Sequence, residues 1–367
     1  MAATPPPVFD ASRPIDLASP GFVQHQYAWY RWLLEEAPVC RGRISVMRLG
    51  LVTRYEDCRT VLSDERFVRN RARAKGRAGA SPLPLPLPRS VAAIARSMIY
   101  EDDPEHRRLR TLVNQAFTAR AVAQLSGRVE ALADELLDGF AAGSRIDLLE
   151  RYARPIPTRV IAEMVGMARE EMRELERSLR VLTQGFSGWN VLRTLLFDLR
   201  GTARFVRALV ARKRAAPGDD ILSALIEAEE AGDRLSEDEL VAMVFLIIVA
   251  GFETTMHLIT NGVRLLLEHP EQLDRLRAEP ALWESAVEEV LRHRGPVLGT
   301  KPQYPKQDVV LHGVTLPRGK PVMPLLGAAN HDPRAFERPD EFDVARSPNH
   351  HLGFGFGAHF CLGRQLA

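Results

Sequence analysis

Between Ser236 and His269 the chain runs 34 residues without a proline. The stretch opens on Ser236-Glu-Asp-Glu239, a capping box in which the serine caps free backbone donors and the glutamate reaches back. It closes at Pro270, which cannot continue a helix. A helix of that length reaches roughly 50 Å at about 1.5 Å per residue. Its apolar middle, Leu240–Ala250 (LVAMVFLIIVA), is shorter than the about 20 residues a membrane span requires. The stretch therefore predicts a helix crossing the core of a large domain. With 367 residues, 46% of them hydrophobic, the chain can enclose such a core.

Three- and four-residue apolar spacing predicts further helices over Val122–Phe140, Arg159–Leu182 and Leu192–Arg214. Strands are predicted over Ile44–Thr53, over Val309–Leu316 with a turn at His312-Gly313, and over Lys320–Leu326. The fold class is mainly α with a small β-sheet region. Ser81–Ser90 (SPLPLPLPRS) reads as a polyproline connector. Arg66–Arg77, with six basic residues in twelve, reads as a solvated, mobile loop. Without repeats or a clear linker, residues 1–367 read as a single large domain. Lys plus Arg number 49 against 47 Asp plus Glu, which argues against a general nucleic-acid binder. Cys40, Cys58 and Cys361 are too few and too scattered for a disulfide framework. The amino terminus, MAATPPPVFD, has no signal-peptide pattern. The expected setting is the cytoplasm, with no membrane anchor.

The densest chemical signal is Phe354-Gly-Phe-Gly-Ala-His-Phe-Cys361-Leu-Gly-Arg-Gln-Leu-Ala367. Gly353, Gly355 and Gly357 precede the cysteine, and glycine lets a backbone approach a large flat ligand closely. Leu362–Ala367 reads as helical, which would put Cys361 at a helix amino terminus, where a thiolate is stabilised. Such a thiolate can be an axial ligand of haem iron. Ala250-Gly-Phe-Glu-Thr-Thr255 sets a glycine, an acid and an alcohol inside the apolar helix. A hydroxyl bonded one turn back can bend a helix, so a local distortion with room for a small ligand is expected here. Glu289-Val-Leu-Arg292 is an acid–base pair at helical spacing, and His106-Arg-Arg-Leu-Arg110 places His106 and Arg110 on one helical face.

Together these segments resemble the cytochrome P450 family, in particular its soluble bacterial class, and the resemblance extends over nearly the whole chain. It implies haem b with Cys361 as the iron ligand, Phe354 against the sulfur side, and Gly355 and Gly357 shaping the loop that shelters the sulfur. It implies that His106, Arg110 and His359 reach haem propionates. Ala250 and Gly251 would line an oxygen groove. Thr254, 107 residues before Cys361, would hold the bound oxygen species and waters, with Glu253 feeding protons. Glu289 and Arg292 would form a buried structural lock supported by Asn330–Phe342. The implied activity is a haem-thiolate monooxygenase acting on a hydrophobic small molecule. Its implied partners are a ferredoxin and an NAD(P)H-dependent ferredoxin reductase, with the enzyme itself a monomer. Arg107, Arg108 and Arg364 would face an acidic ferredoxin. Pro82–Ile99, Leu179–Leu196, Met243–Thr254 and Pro296–Thr300 would line the pocket, with Val297 and Leu298 close to the iron.

Two departures from the family pattern stand out. Gln303, near Lys301, occupies a position where a propionate-binding arginine is usual, and the chain stops six residues after Cys361. Family members continue into a helix and hairpin, which this reading expects to be missing. Two alternatives stay open: a non-catalytic or folding-defective haem-binding remnant, and a peroxide-driven peroxygenase.

Overall fold

The computed structural model describes residues 9–77, 97–117, 119–168, 171–172, 199–230 and 235–367. The helices that position the site are α1 (Gln26–Glu36), α2 (Tyr55–Ser63), α3 (Glu105–Ala116), α4 (Pro155–Met164), α5 (Glu237–Glu268) and α6 (Trp283–Arg294). The strands are β1 (Ile15–Asp16), β2 (Val39–Ile44), β3 (Met47–Val52), β4 (Phe67–Val68), β5 (Tyr304–Pro305), β6 (Val309–Leu311), β7 (Val314–Leu316) and β8 (Val322–Pro324). The chain gathers into two units. The first holds the residues up to Ala80 and Asn261–Cys361; the second holds Ser81–Thr260 and Leu362–Ala367.

The first unit carries the sheets. Its four-stranded sheet runs β1-β2-β3-β8, with β2 and β3 antiparallel and the outer pairings parallel. The expected strand Ile44–Thr53 is in fact a hairpin corner plus β3: Ser45 takes φ 53° and turns the chain. β6 and β7 form the hairpin expected around His312-Gly313, whose φ values of 50° and 74° are those of a tight primed turn. Arg66–Arg77 is ordered rather than a mobile loop. β4 pairs with β5, Asn70 caps the short helix Arg71–Ala74, and Arg69 is buried.

A fully buried ion pair on α6 organises the end of this unit. Glu289 and Arg292 have no exposed side-chain surface. Arg292 donates from Nε and Nη2 to Glu289, both at 2.7 Å. Its remaining N–H groups donate to the carbonyls of Asn330 and Pro339 at 2.8 Å and of Glu341 at 3.0 Å. All five guanidinium donors are therefore matched. Glu289 also accepts from Arg346 Nε at 3.1 Å, Asn349 Nδ2 at 3.2 Å and the Asp343 amide at 3.1 Å. Nearby, the Tyr27 ring lies 5.5 Å from His293 and 4.9 Å from His331, and the two histidine rings are 5.1 Å apart. Burial, reinforced by His331, pushes the His293 pKa down to about 3.

The second unit is helical. Leu109, Leu112 and Val113 of α3, Val160 and Ile161 of α4, and Leu240, Val244 and Phe252 of α5 meet in one core. Leu199–Ala215 and Ile221–Glu230 add Leu209 and Leu222, among others. Full burial of each large apolar side chain contributes about 1.5–3 kcal/mol. The capping box closes as expected: the Ser236 amide donates to Glu239 Oε2 at 2.7 Å, and the Glu239 amide to Ser236 Oγ at 3.3 Å. α5 then runs 32 residues and enters the first unit after Thr260. It is long and apolar enough to cross a membrane, but Leu240–Val244 are buried in the core. The helix Ala119–Asp138 matches expectation, whereas α4 ends at Met164 because Gly166 turns left-handed at φ 61°. Residues 169–170 and 173–182 of the expected helix, the segment 192–198 and Ser81–Ser90 lie outside the described residues.

Two outcomes follow from these contacts. Arg292→Lys cannot reproduce five fixed donors and leaves Glu289 underpaired; loss of about 3 kcal/mol or more in urea unfolding is expected. His293 is neutral in the fold, while the unfolded chain protonates it below the ordinary value of 6.5. Its stabilising contribution is thus complete above that pH and is lost as pH falls toward about 3. Within that window the loss is about 1.4 kcal/mol per pH unit. Unfolding free energies of the wild type and His293→Asn, taken about one and about two pH units below 6.5, should converge by about that amount. A pH-independent difference contradicts the assignment.

Candidate active site

The cysteine segment is a loop hung from the buried ion pair. Asn330, whose carbonyl accepts from Arg292, accepts the Leu352 amide on its side-chain oxygen at 2.7 Å. The Leu352 carbonyl in turn accepts from the Gly355 amide at 2.8 Å, and the Cys361 amide returns to the Phe354 carbonyl at 2.9 Å. Gly355 and Gly357 take φ values of 75° and 72°, which side chains disfavour. A Cβ at Gly357 would also stand 2.6 Å from the Leu62 carbonyl oxygen, so the loop's close approach to α2 requires glycine. On that helix the Arg59 guanidinium lies over the Phe356 ring at 4.6 Å. His359 ends a 3-10 turn, Gly357–His359, and Phe354 is half-buried.

Of the chain's three cysteines, only Cys361 is exposed. Burial pushes the Cys40 thiol up to about 12 and the Cys58 thiol well above its usual range. Those two stay protonated and inert. The expected helix after Cys361 is a single 3-10 turn, Leu362–Gln365, because the bonds formed run back only to Gly363. Leu362 and Leu366 pack against the helical core of the second unit.

On α5 the Thr254 hydroxyl donates to the Ala250 carbonyl at 2.5 Å. The helix is nevertheless uninterrupted through Ala250–Thr255, so the expected distortion is absent. Ala250 is exposed in the apolar stretch, and Leu246, Val249, Glu253 and Thr254 are half-buried. Gly251 lets α5 approach α4: a Cβ there would stand 3.3 Å from Ile161 Cδ1. On α3, His106 is buried with Nδ1 3.4 Å from Asp103, and burial lowers its pKa. Arg110 sits one turn on and is half-buried. Each of the two arginines between them has an acidic partner within the chain. Arg107 pairs with Asp103 at 2.7 Å, and Arg108 pairs with Glu239 of the capping box.

Gln303 is buried, and its backbone exchanges two 2.8 Å bonds with Val322. Its side-chain oxygen has no hydrogen-bond partner among the described residues. Val297 is half-buried and Leu298 exposed. Of the expected pocket segments, Leu179–Leu196 and residues 82–96 lie outside the described residues. Several positioning residues carry no motif and were not legible: Arg346 and Asn349 on Glu289, Arg59 over Phe356, Arg69 donating to the Lys301 carbonyl, and His351 beside Gly353.

The cysteine loop fits a large, flat, iron-bearing ligand: its accessible thiol follows Gly353, Gly355 and Gly357, whose missing Cβ atoms leave room for such a ligand's face. On α5, separately, an exposed alanine lies one turn from a hydroxyl. A thiolate is a soft ligand suited to haem iron.

Comparison with known proteins agrees. The family model described as Cytochrome P450 matches residues 202–367. Cytochrome P450 107B1 of Saccharopolyspora erythraea is 39% identical over 348 residues, 94% of this chain and 85% of that protein. From the same organism, 6-deoxyerythronolide B hydroxylase is 38% identical over 361 residues, 96% of this chain and 87% of that protein. The solved structure of P450BioI in complex with hexadec-9Z-enoic acid ligated acyl carrier protein has a TM-score of 0.84 at 33% identity. The match covers 95% of this chain and 89% of that one. Fold, cysteine loop and relatives converge: this chain belongs to the cytochrome P450 family and is a haem-binding monooxygenase of the bacterial secondary-metabolite type.

Proposed function

We propose that the chain hydroxylates a hydrophobic small molecule, with Cys361 as the iron ligand and electrons arriving from NAD(P)H through a ferredoxin reductase and a ferredoxin. The observation that carries this reading is the single exposed thiol, set on a loop with two left-handed glycines, in a chain so similar to cytochromes P450. Bound haem supplies the oxygen chemistry, placing one oxygen atom in the substrate and releasing the other as water. The protein's own residues do the rest. Phe354 and Gly355 shelter the sulfur, while His106, Arg110 and His359 bind the carboxylates of the haem edge. The exposed methyl of Ala250 and the neighbouring Gly251 border the space for dioxygen. Thr254 holds a proton at its hydroxyl and can trade its Ala250 bond for one to bound water. Glu253, one residue before it, relays protons from solvent. A relative that hydroxylates 6-deoxyerythronolide B and a structural neighbour holding a carrier-linked C16 acyl chain support a polyketide or acyl substrate. The enzyme works as a cytoplasmic monomer in this reading.

The reduced, carbon-monoxide-bound protein should show the red-shifted Soret band of thiolate ligation, and Cys361→Ala should lose it. A band that survives in the variant overturns the ligand assignment. Thr254→Ala, driven by a surrogate ferredoxin and reductase, should keep consuming NAD(P)H while product per NAD(P)H falls at least about tenfold. Unchanged coupling removes Thr254 from proton delivery.

A further inference from the structure

Between the buried ion pair and the cysteine loop stands a second device that no motif names. His351 is 2% exposed at its side chain. Its Nδ1 accepts the Gly353 amide at 3.0 Å, so in the neutral ring the proton sits on Nε2. That nitrogen donates to Glu288 Oε2 at 2.6 Å. The ring also lies 5.9 Å from the Phe354 ring. A Cβ on Gly353 would stand 2.9 Å from His351 Nδ1 and 3.2 Å from the Leu291 carbonyl oxygen, so glycine is required for the contact. Glu288 and Glu289 are neighbours on α6, and successive helical residues point about 100° apart. One carboxylate therefore serves the ion pair while the next serves the histidine.

We propose that Glu288 and His351 act as a positioning pair for the Cys361 loop: the carboxylate fixes the tautomer and ring, the ring fixes the Gly353 amide, and the loop is thereby held in its iron-ligating conformation. This rests on the assignment of Cys361 as iron ligand. The geometry resembles the carboxylate–histidine arrangements that orient metal ligands, acting here through one backbone amide instead of directly. The histidine-to-amide bond spans two residues, as an Asx turn does. Asparagine at position 351 can therefore accept from the Gly353 amide while losing the reach to Glu288.

The test uses full-length, haem-loaded protein and follows the reduced carbon-monoxide spectrum over time. His351→Phe, which keeps a ring but neither bond, should convert from the thiolate-type band to the blue-shifted form about tenfold faster than wild type. Glu288→Ala should also convert faster, and His351→Asn should be largely rescued. Hydrogen exchange at Leu352–Gly355 should rise about tenfold in His351→Phe and Glu288→Ala and stay near wild type in His351→Asn. Wild-type band lifetime and exchange in both His351→Phe and Glu288→Ala overturn the pair's role while leaving the ligand assignment intact. Equal failure of His351→Asn and His351→Phe also overturns it, since packing alone would then explain the loss. Should His351→Phe fold poorly, Glu288→Ala decides on the same two readouts, because that side chain is 30% exposed and its truncation removes little packing. A thiolate band that persists in Cys361→Ala instead overturns the underlying assignment.

Discussion

The buried pairing of Glu289 with Arg292 is the contact on which the first unit's functional end depends. Taking two charges out of water is costly, and the cost is offset only when every donor and acceptor finds a partner. Here Arg292 exhausts its five N–H groups on one carboxylate and three carbonyls, and those carbonyls belong to the segment from Asn330 to Glu341. An irregular stretch of backbone is thereby fixed as firmly as a sheet would fix it. The Asn330 side chain passes that order to Leu352, and Leu352 passes it to Gly355. The position of the cysteine is thus a consequence of charge burial well away from the sulfur.

The second unit solves a different problem. α5 must be apolar enough to sit in a core, yet it carries an exposed alanine and half-buried polar groups one turn apart. The Thr254 hydroxyl stays satisfied by turning back on the Ala250 carbonyl, and Thr260 does the same to Met256 at 2.8 Å. Such internal bonds leave polar side chains compatible with an apolar helix without breaking it. Glu239 meanwhile caps the helix start and receives Arg108 from α3, so one carboxylate joins the two helices.

Much of this was readable from residue order because the signals were local. The capping box, Pro270 and the apolar run define α5 almost to the residue, and His312-Gly313 defines its hairpin. The misreadings share a cause in tertiary context. Arg66–Arg77 looked like a solvated loop because its charges are dense, but Phe67 and Val68 find a strand partner more than 200 residues away. Ile44–Thr53 looked continuous because its residues favour strand on both sides of a turn that only Ser45's backbone reveals. The cysteine motif pointed to Cys361 as the candidate ligand, but not to what holds its loop. Arg59, His351, Arg346 and Asn349 act through single long-range contacts that leave no periodic trace. That Arg108 reaches Glu239 of the capping box is likewise a long-range contact with no trace in its own motif.

The unequal burial of the three cysteines has a consequence for handling the protein. Cys40 and Cys58 are enclosed and held protonated, so neither readily reacts with alkylating reagents or oxidants. Cys361 is the one exposed cysteine of the chain. A molecule whose sulfur is committed to iron offers no reactive thiol, whereas one that has lost its prosthetic group offers one. Disulfide formation by the latter can join two chains and no more, because the other two cysteines are buried. Thiol titration therefore counts the emptied molecules in any preparation directly.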